Sequence, residues 1–243
     1  MTLRQASLIG FLLISSPPAL FSQSVNVLSA QEKARGWQLL FDGKTLKSWH
    51  SSAPAPGRGQ RAADPLGPQP PQPGAAAQVG SNPKPCVTAQ GNSSAPAGGS
   101  HWEVVAGLLT PCGDPAGYLT SDQNYKNFVL SIEFKCGEDT NSGVFVRSPQ
   151  ESGGYEVQIW KQQPAGYNTG AIVGTAKTAR DYKFKPDEWN HFQITADGDR
   201  LVVVLNGETT LDIHDTRFSE GNLRLQYQKF PMSFRNIKIR PLP

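Results

Sequence analysis

The chain predicts an all-β protein, an antiparallel β-sandwich or jelly roll, on three observations. Short runs rich in Val, Ile, Phe and Tyr recur along the chain, each bounded by Gly, Asp, Asn or Pro. Ala196-Asp197-Gly198-Asp199 and Asn206-Gly207 carry the residues that tolerate positive φ and so mark hairpin turns. No segment sustains a helical period. Many short strands at this spacing are the signature of a sandwich.

In chain order, Ser29–Arg35 is expected to form a turn or two of helix ahead of the domain. Strands are expected at Trp102–Val105, Leu108–Thr110, Phe128–Cys136, Val144–Arg147, Tyr155–Trp160, Asn190–Ala196, Leu201–Leu205, Asn222–Gln228 and Phe234–Arg240. Two segments stand apart. Residues 1–22 read as a secretory signal: Arg4 supplies the positive start, Leu8–Ile14 is an apolar run too short to span a bilayer, and Pro17-Pro18 ends it. Residues 51–100 hold half of the prolines and no aromatic residue. Such a stretch buries too little apolar surface to offset its ordering entropy, so it is read as a disordered, Pro/Gly-rich insertion inside one domain spanning 36–243.

Composition excludes some functions. With Lys+Arg 23 against Asp+Glu 20 and a net charge of +3 over 243 residues, no basic run marks a nucleic-acid surface. No membrane span is expected after signal cleavage. No Cys-x-x-Cys or Cys/His cluster marks a metal site, and no cofactor is expected. An exported, periplasmic or extracellular chain can hold one disulfide; Cys86–Cys112 and Cys112–Cys136 are both open.

The stretch from Asn141 to Ile159 carries the candidate site. Successive strand side chains point to opposite faces. Val144 and Val146 thus alternate with Phe145 and Arg147, and Tyr155, Val157 and Ile159 with Glu156, Gln158 and Trp160. One face is apolar; the other collects a carboxylate, a cation, an amide and aromatic plates, a set suited to carbohydrate. Trp37, Trp49, Trp102 and Trp189 are assigned to the core, His191 to a structural role and His214 to a polar loop.

GWQLLFDGKTLKSWH, HWEVVAGLL, YLTSDQNYKNFVLSIEFK, NSGVFVRS, GYEVQI, NTGAIVG, KPDEWNHFQI, VVVLNGE and LRLQYQKFPMSFRNIKIRPL follow one another in that order. In this the chain resembles the 3-keto-disaccharide hydrolase domain family of exported bacterial proteins. The resemblance implies a concanavalin-like jelly roll with a sugar site on its concave sheet. It implies action on 3-keto-glycosides, whose C3 ketone acidifies the hydrogen at C2. A base removes that proton, the C1 substituent leaves and water adds. Matched position by position, Glu156 and Gln158 fall on the family's most polar strand, Asn141 and Arg147 on the NSGVFVRS element and Gln226 on the LQ element. Read by their chemistry, Glu156 is the candidate base and Arg147 a partner for the enolate or a sugar hydroxyl, the alternative being a surface ion pair between the two. Asn141, Gln158 and Gln226 are candidate sugar ligands, with a cross-strand amide pair the alternative for the two glutamines, and Phe145 and Trp160 are candidate aromatic contacts. The chain departs from many relatives at Lys161, Val173 and Gln228, where an acidic residue, a Tyr and a His are common. The same sandwich as a non-catalytic carbohydrate-binding module is the competing expectation.

Overall fold

Alternation is written into the strands and decides how they pack. In the computed structural model, residues 25–52, 101–112, 117–149, 153–229 and 232–243 are described. The expected signal, the insertion beyond Ser52 and Cys86 lie outside them. Helix α1 (Ala30–Ala34) is capped by Ser29, whose side chain accepts from the Glu32 amide while the Glu32 carboxylate accepts from the Ser29 amide.

Thirteen strands follow among the described residues: β1 (Gln38–Leu39), β2 (Trp49–Ser52), β3 (His101–Val105), β4 (Leu108–Cys112), β5 (Gly117–Tyr125), β6 (Phe128–Cys136), β7 (Asn141–Ser148), β8 (Tyr155–Ile159), β9 (Asn190–Asp197), β10 (Arg200–Leu205), β11 (Glu208–His214), β12 (Gly221–Lys229) and β13 (Met232–Pro241). An eight-stranded sheet runs β11-β10-β9-β6-β13-β4-β3 with β1 on β13, and a five-stranded sheet runs β2-β5-β12-β7-β8. Every pairing is antiparallel. This is the expected all-β jelly-roll sandwich.

The expected strands are all present, most lengthened by a residue or more at their ends. Both hairpin turns form, with Gly198, Asn206 and Gly207 at positive φ. The sequence reading missed β1, β2, β5 and β11. β5 is polar along its second half, and β2 and β11 are polar edge strands, so neither pair of facing sides shows a clean period. His214 therefore lies in β11, bonded to Asp199, rather than in a loop.

Leu119, Val144, Val157 and Leu225 form a cross-strand row facing inward from the five-stranded sheet. They meet Leu130, Ile132, Phe134, Phe192, Ile194 and Phe234 of the other sheet in one core. Trp49 and Trp102 join it, as expected. Trp37 and Trp189 do not: both are half-buried, each under a guanidinium, of Arg240 and Arg235 respectively. Cys112 is disulfide-bonded and Cys136 is free and buried, so the Cys112–Cys136 pairing does not form. No described helix is long and apolar enough to cross a membrane.

Val157 and Ile159 are 0% exposed. Val157→Asp or Ile159→Asp would bury a carboxylate with no partner, a cost of several kcal/mol. Each variant is expected in the insoluble fraction on expression. Soluble, cooperatively unfolding protein from both would mean that β8 turns its other face inward.

Candidate functional site

The residues that alternate with the core row face outward from the five-stranded sheet. Register sets them in rows across the strands. Tyr118, Gln226, Gly143 and Gln158 stand side by side on β5, β12, β7 and β8; Thr120, Arg224, Phe145 and Glu156 form the next row. Toward the other end, Asn141 begins β7 and gives its side-chain N–H to Gln228 Oε1 at 2.9 Å. Trp160 lies just past β8, half-buried, its amide held by Thr169 Oγ1.

Glu156 leans across Gly143. A Cβ on that glycine would stand 2.8 Å from Glu156 Oε1 and 2.9 Å from its Cγ, so the missing side chain is the space the carboxyl uses. The backbone of Glu156 is held from the free edge of β8. Segment 170–173 runs beside it, with Val173 N donating to Glu156 O, Gly170 N to Gln158 O, and Gln158 N to Ala171 O. Thr210 Oγ1 anchors that segment by donating to Gly170 O at 2.8 Å.

The cation on this face is Arg224, not Arg147. Arg224 is 4% exposed. Its guanidinium lies 3.7 Å from the Tyr118 ring centroid and 5.5 Å from that of Phe145, and it donates to Ser148 Oγ. Tyr118 and Phe145 meet edge to face at 5.5 Å. Arg147 breaks the alternation expected of it. Between the pairs Arg224–Phe145 and Asn222–Ser148, β7 has one residue more than β12, and Arg147 sits there at φ 52°. This β-bulge re-aims the side chain. Arg147 is 1% exposed and donates to the carbonyls of Lys126, Gly198 and Phe218 and to Asn127 Oδ1. It clamps the end of the sandwich, and its expected catalytic place is corrected accordingly.

The other sequence-derived residues fare unevenly. Phe145, Glu156, Gln158 and Gln226 come together in the two rows, with Asn141 at the start of β7 beside Gln228; Trp160 lies outside both rows, just past β8. Gln158 folds its Oε1 back onto the Ile159 amide at 3.0 Å. Gln226 is 8% exposed, and its Oε1 has no hydrogen-bond partner among the described residues, an acceptor still to be satisfied. Tyr118 and Arg224 were missed, although both strand parity on β12 and its LRLQ pattern placed Arg224 beside Gln226. His191 is on the outer face of the other sheet, bonded to Ser131.

Burial pushes the Glu156 carboxyl up to about 8; the Arg224 charge pulls the other way and does not win. Burial first and the Glu156 charge second raise Tyr118, which therefore keeps its proton. The site is a proton acceptor of raised affinity set among a fixed cation, a phenol and an open amide oxygen. The described residues hold no group of three His, Cys, Asp or Glu able to bind a metal ion.

Residues 36–240 match the family described as the 3-keto-alpha-glucoside-1,2-lyase-like domain. Among solved structures, a candidate glycosyl hydrolase from Parabacteroides distasonis superposes at TM-score 0.63 with 19% identity, over 90% of this chain and all (100%) of that one. A second from the same organism gives 0.51 at 26% identity, over 58% of this chain and 90% of the other. A third gives 0.53 at 22%, over 85% and 84%. Among curated proteins there is no match.

The raised Glu156 pKa has a consequence for stability. Between the ordinary 4.5 and about 8, the folded state keeps a proton that the unfolded chain has lost. Stability therefore falls as pH rises through that window. Glu156→Gln removes this loss. Thermal unfolding should show the variant level with wild type near pH 4 and more stable by several degrees near pH 9. An equal difference at both pH values would mean that the carboxyl is not desolvated.

Proposed function

We propose that this chain, which belongs to the 3-keto-alpha-glucoside-1,2-lyase-like family, cleaves 3-keto-glycosides by elimination across C1 and C2 followed by hydration. The observation that carries the reading is Glu156: a half-buried carboxyl with a pKa near 8, seated over Gly143 beside Arg224 and Tyr118. A base works best with a pKa near the working pH, and the hydrogen at C2 of a 3-keto sugar is acidic enough for a carboxylate to remove.

In this mechanism Glu156 takes the C2 proton and the electron pair moves onto the C3 oxygen as an enolate. Arg224 stabilises that charge, since a fixed cation in a desolvated site needs no reorganisation. The pair then returns, the C1–O bond breaks and the aglycone leaves with its electrons, to be protonated as an alcohol. Water adds to the enone at C1, and the net result is hydrolysis. Gln226 Oε1 accepts a sugar hydroxyl, Phe145 and Trp160 line the ring, and Tyr118 serves as a proton donor. Ordinary glycosidases need two carboxyl groups about 5–9.5 Å apart. Asp122, a second carboxylate on this face, lies on β5, three strand spacings or about 14 Å from β8, and is bonded to His50 at 2.7 Å. A single carboxylate suits proton abstraction. The protein acts outside the cytoplasm in this reading, supported by the leader-like start and the disulfide at Cys112.

A second reading keeps the sugar and drops the chemistry. Lys161 is paired with Glu138, and Gln228 with Asn141, at positions where many relatives have acidic or His side chains. Those ties favour a carbohydrate-binding module.

Glu156→Gln should lower turnover of a 3-keto-glucoside by about two to four orders of magnitude with a smaller change in affinity. Wild-type turnover should rise with pH toward about 8, and deuterium at C2 should slow it where proton removal limits the rate. Turnover by Glu156→Gln near the wild-type rate would place the base elsewhere; a wild type that binds keto-sugars without cleaving them would establish the module. Gly143→Ala fills the space under the carboxyl. It should leave the melting temperature within a few degrees and cut turnover about tenfold or more, because the base is displaced; unchanged turnover would show that its seating over Gly143 is irrelevant.

A further inference from the structure

The outer face of the eight-stranded sheet carries a groove of about 680 Å³ that has no part in the Glu156 chemistry. Its floor is a cross-strand row. Trp37, just ahead of β1, lies beside Arg240 of β13, which pairs with Val129 of β6, which pairs with Thr195 of β9. Arg35, at the end of α1, and Gln193 line its flanks. The row spans three strand spacings, about 14 Å, and a volume of this size is typical of ligand sites.

Guanidinium groups without a carboxylate partner distinguish this groove from the rest of that face. Arg235 also lies over an indole, 3.8 Å from the Trp189 ring, but Glu133 neutralises it at 2.6 Å. Arg200 is neutralised by Asp212 at 2.7 Å. Glu32, the acidic residue of α1, is taken by Lys238 at 2.7 Å. Arg240 lies 5.8 Å from the Trp37 ring centroid, and neither it nor Arg35 has a carboxylate partner among the described residues. Two guanidinium groups thus converge on a groove with a half-exposed aromatic plate, an amide and a hydroxyl. Guanidinium forks match planar or tetrahedral anions. The indole offers an apolar face to sugar C–H groups, and Gln193 and Thr195 offer partners for hydroxyls.

We propose that this groove is a second carbohydrate site, specific for an anionic sugar unit, carboxylated or sulfated, on the sheet opposite the Glu156 face. The choice of a sugar rather than another anion rests on the carbohydrate reading above; the site itself does not depend on Glu156. It would let the protein hold an acidic glycan with one sheet while the other acts on a keto-sugar.

The test is equilibrium binding of tetragalacturonate to the full chain. Wild type should bind it, progressively less tightly as salt rises, and should bind the fully methyl-esterified tetramer about tenfold or more less tightly. Arg35→Gln, at an exposed position, should weaken binding about tenfold without changing the melting temperature, and Trp37→Ala and Arg240→Gln should do likewise. Glu156→Gln should bind as wild type does, and Arg35→Gln should keep wild-type turnover of the keto-glucoside, so the two sites stand or fall separately. A sulfated oligosaccharide that binds more tightly and depends on the same three residues supports the site and identifies its anion. No binding by the wild type of either acidic ligand, binding indifferent to Arg35→Gln and Trp37→Ala, or equal binding of a poly-glutamate peptide would overturn the proposal.

Discussion

Strand alternation anchored by the core is the constraint on which the site depends. Leu119, Leu225, Val144 and Val157 lock four adjacent strands to one another from below. A slip of one residue in any of them would turn its core residue out to water and its polar residue in. The penalty for that slip keeps Tyr118, Arg224, Phe145 and Glu156 in register on the other side. A proton acceptor can be placed reproducibly beside a cation here because apolar burial one residue away forbids every neighbouring arrangement.

Two local exceptions to regularity complete the site. The bulge at Arg147 takes a second guanidinium off the face and spends it on three carbonyls and an amide oxygen at the end of the sandwich. Had Arg147 remained outward beside Phe145, its charge would have lain next to Glu156 and held the carboxyl lower. Gly143 is the complementary exception: a gap in a row of large side chains, filled by the carboxyl that leans over it. Burial then outweighs the remaining Arg224 attraction. The raised pKa costs stability progressively as pH rises from 4.5 to about 8.

The two sheets divide polar work differently. On the eight-stranded sheet, Glu133, Asp212 and Glu32 neutralise Arg235, Arg200 and Lys238, while the Arg35 and Arg240 guanidinium groups that border the Trp37 groove have no carboxylate partner among the described residues. On the five-stranded sheet, desolvation rather than pairing sets the electrostatics. The exposed Arg200–Asp212 pair contributes little to stability, so its arrangement bears on what the surface attracts.

The sequence alone determined the class of fold, most strands, both tight hairpins and the outward place of Phe145, Glu156, Gln158 and Gln226. Periodicity and turn chemistry are local properties, and the hydrophobic pattern of β7 and β8 leaves one orientation that buries the valines. It did not determine the partners of those residues. Arg147 read as a site cation because alternation carries no mark of a bulge, which arises only when β7 is paired with β12. Tyr118 was hidden because β5 is half polar and gains its place from two neighbours rather than from its own pattern. Arg224 lay in a correctly expected strand, yet its closeness to Glu156 spans nearly seventy residues of chain. Trp37 and Trp189 looked like core because an indole beside apolar residues usually is; whether a guanidinium or a side chain from the other sheet covers it is decided by which strand lies alongside. Only the tertiary structure brings distant strands to one face, and the electrostatics of Glu156 exist only there.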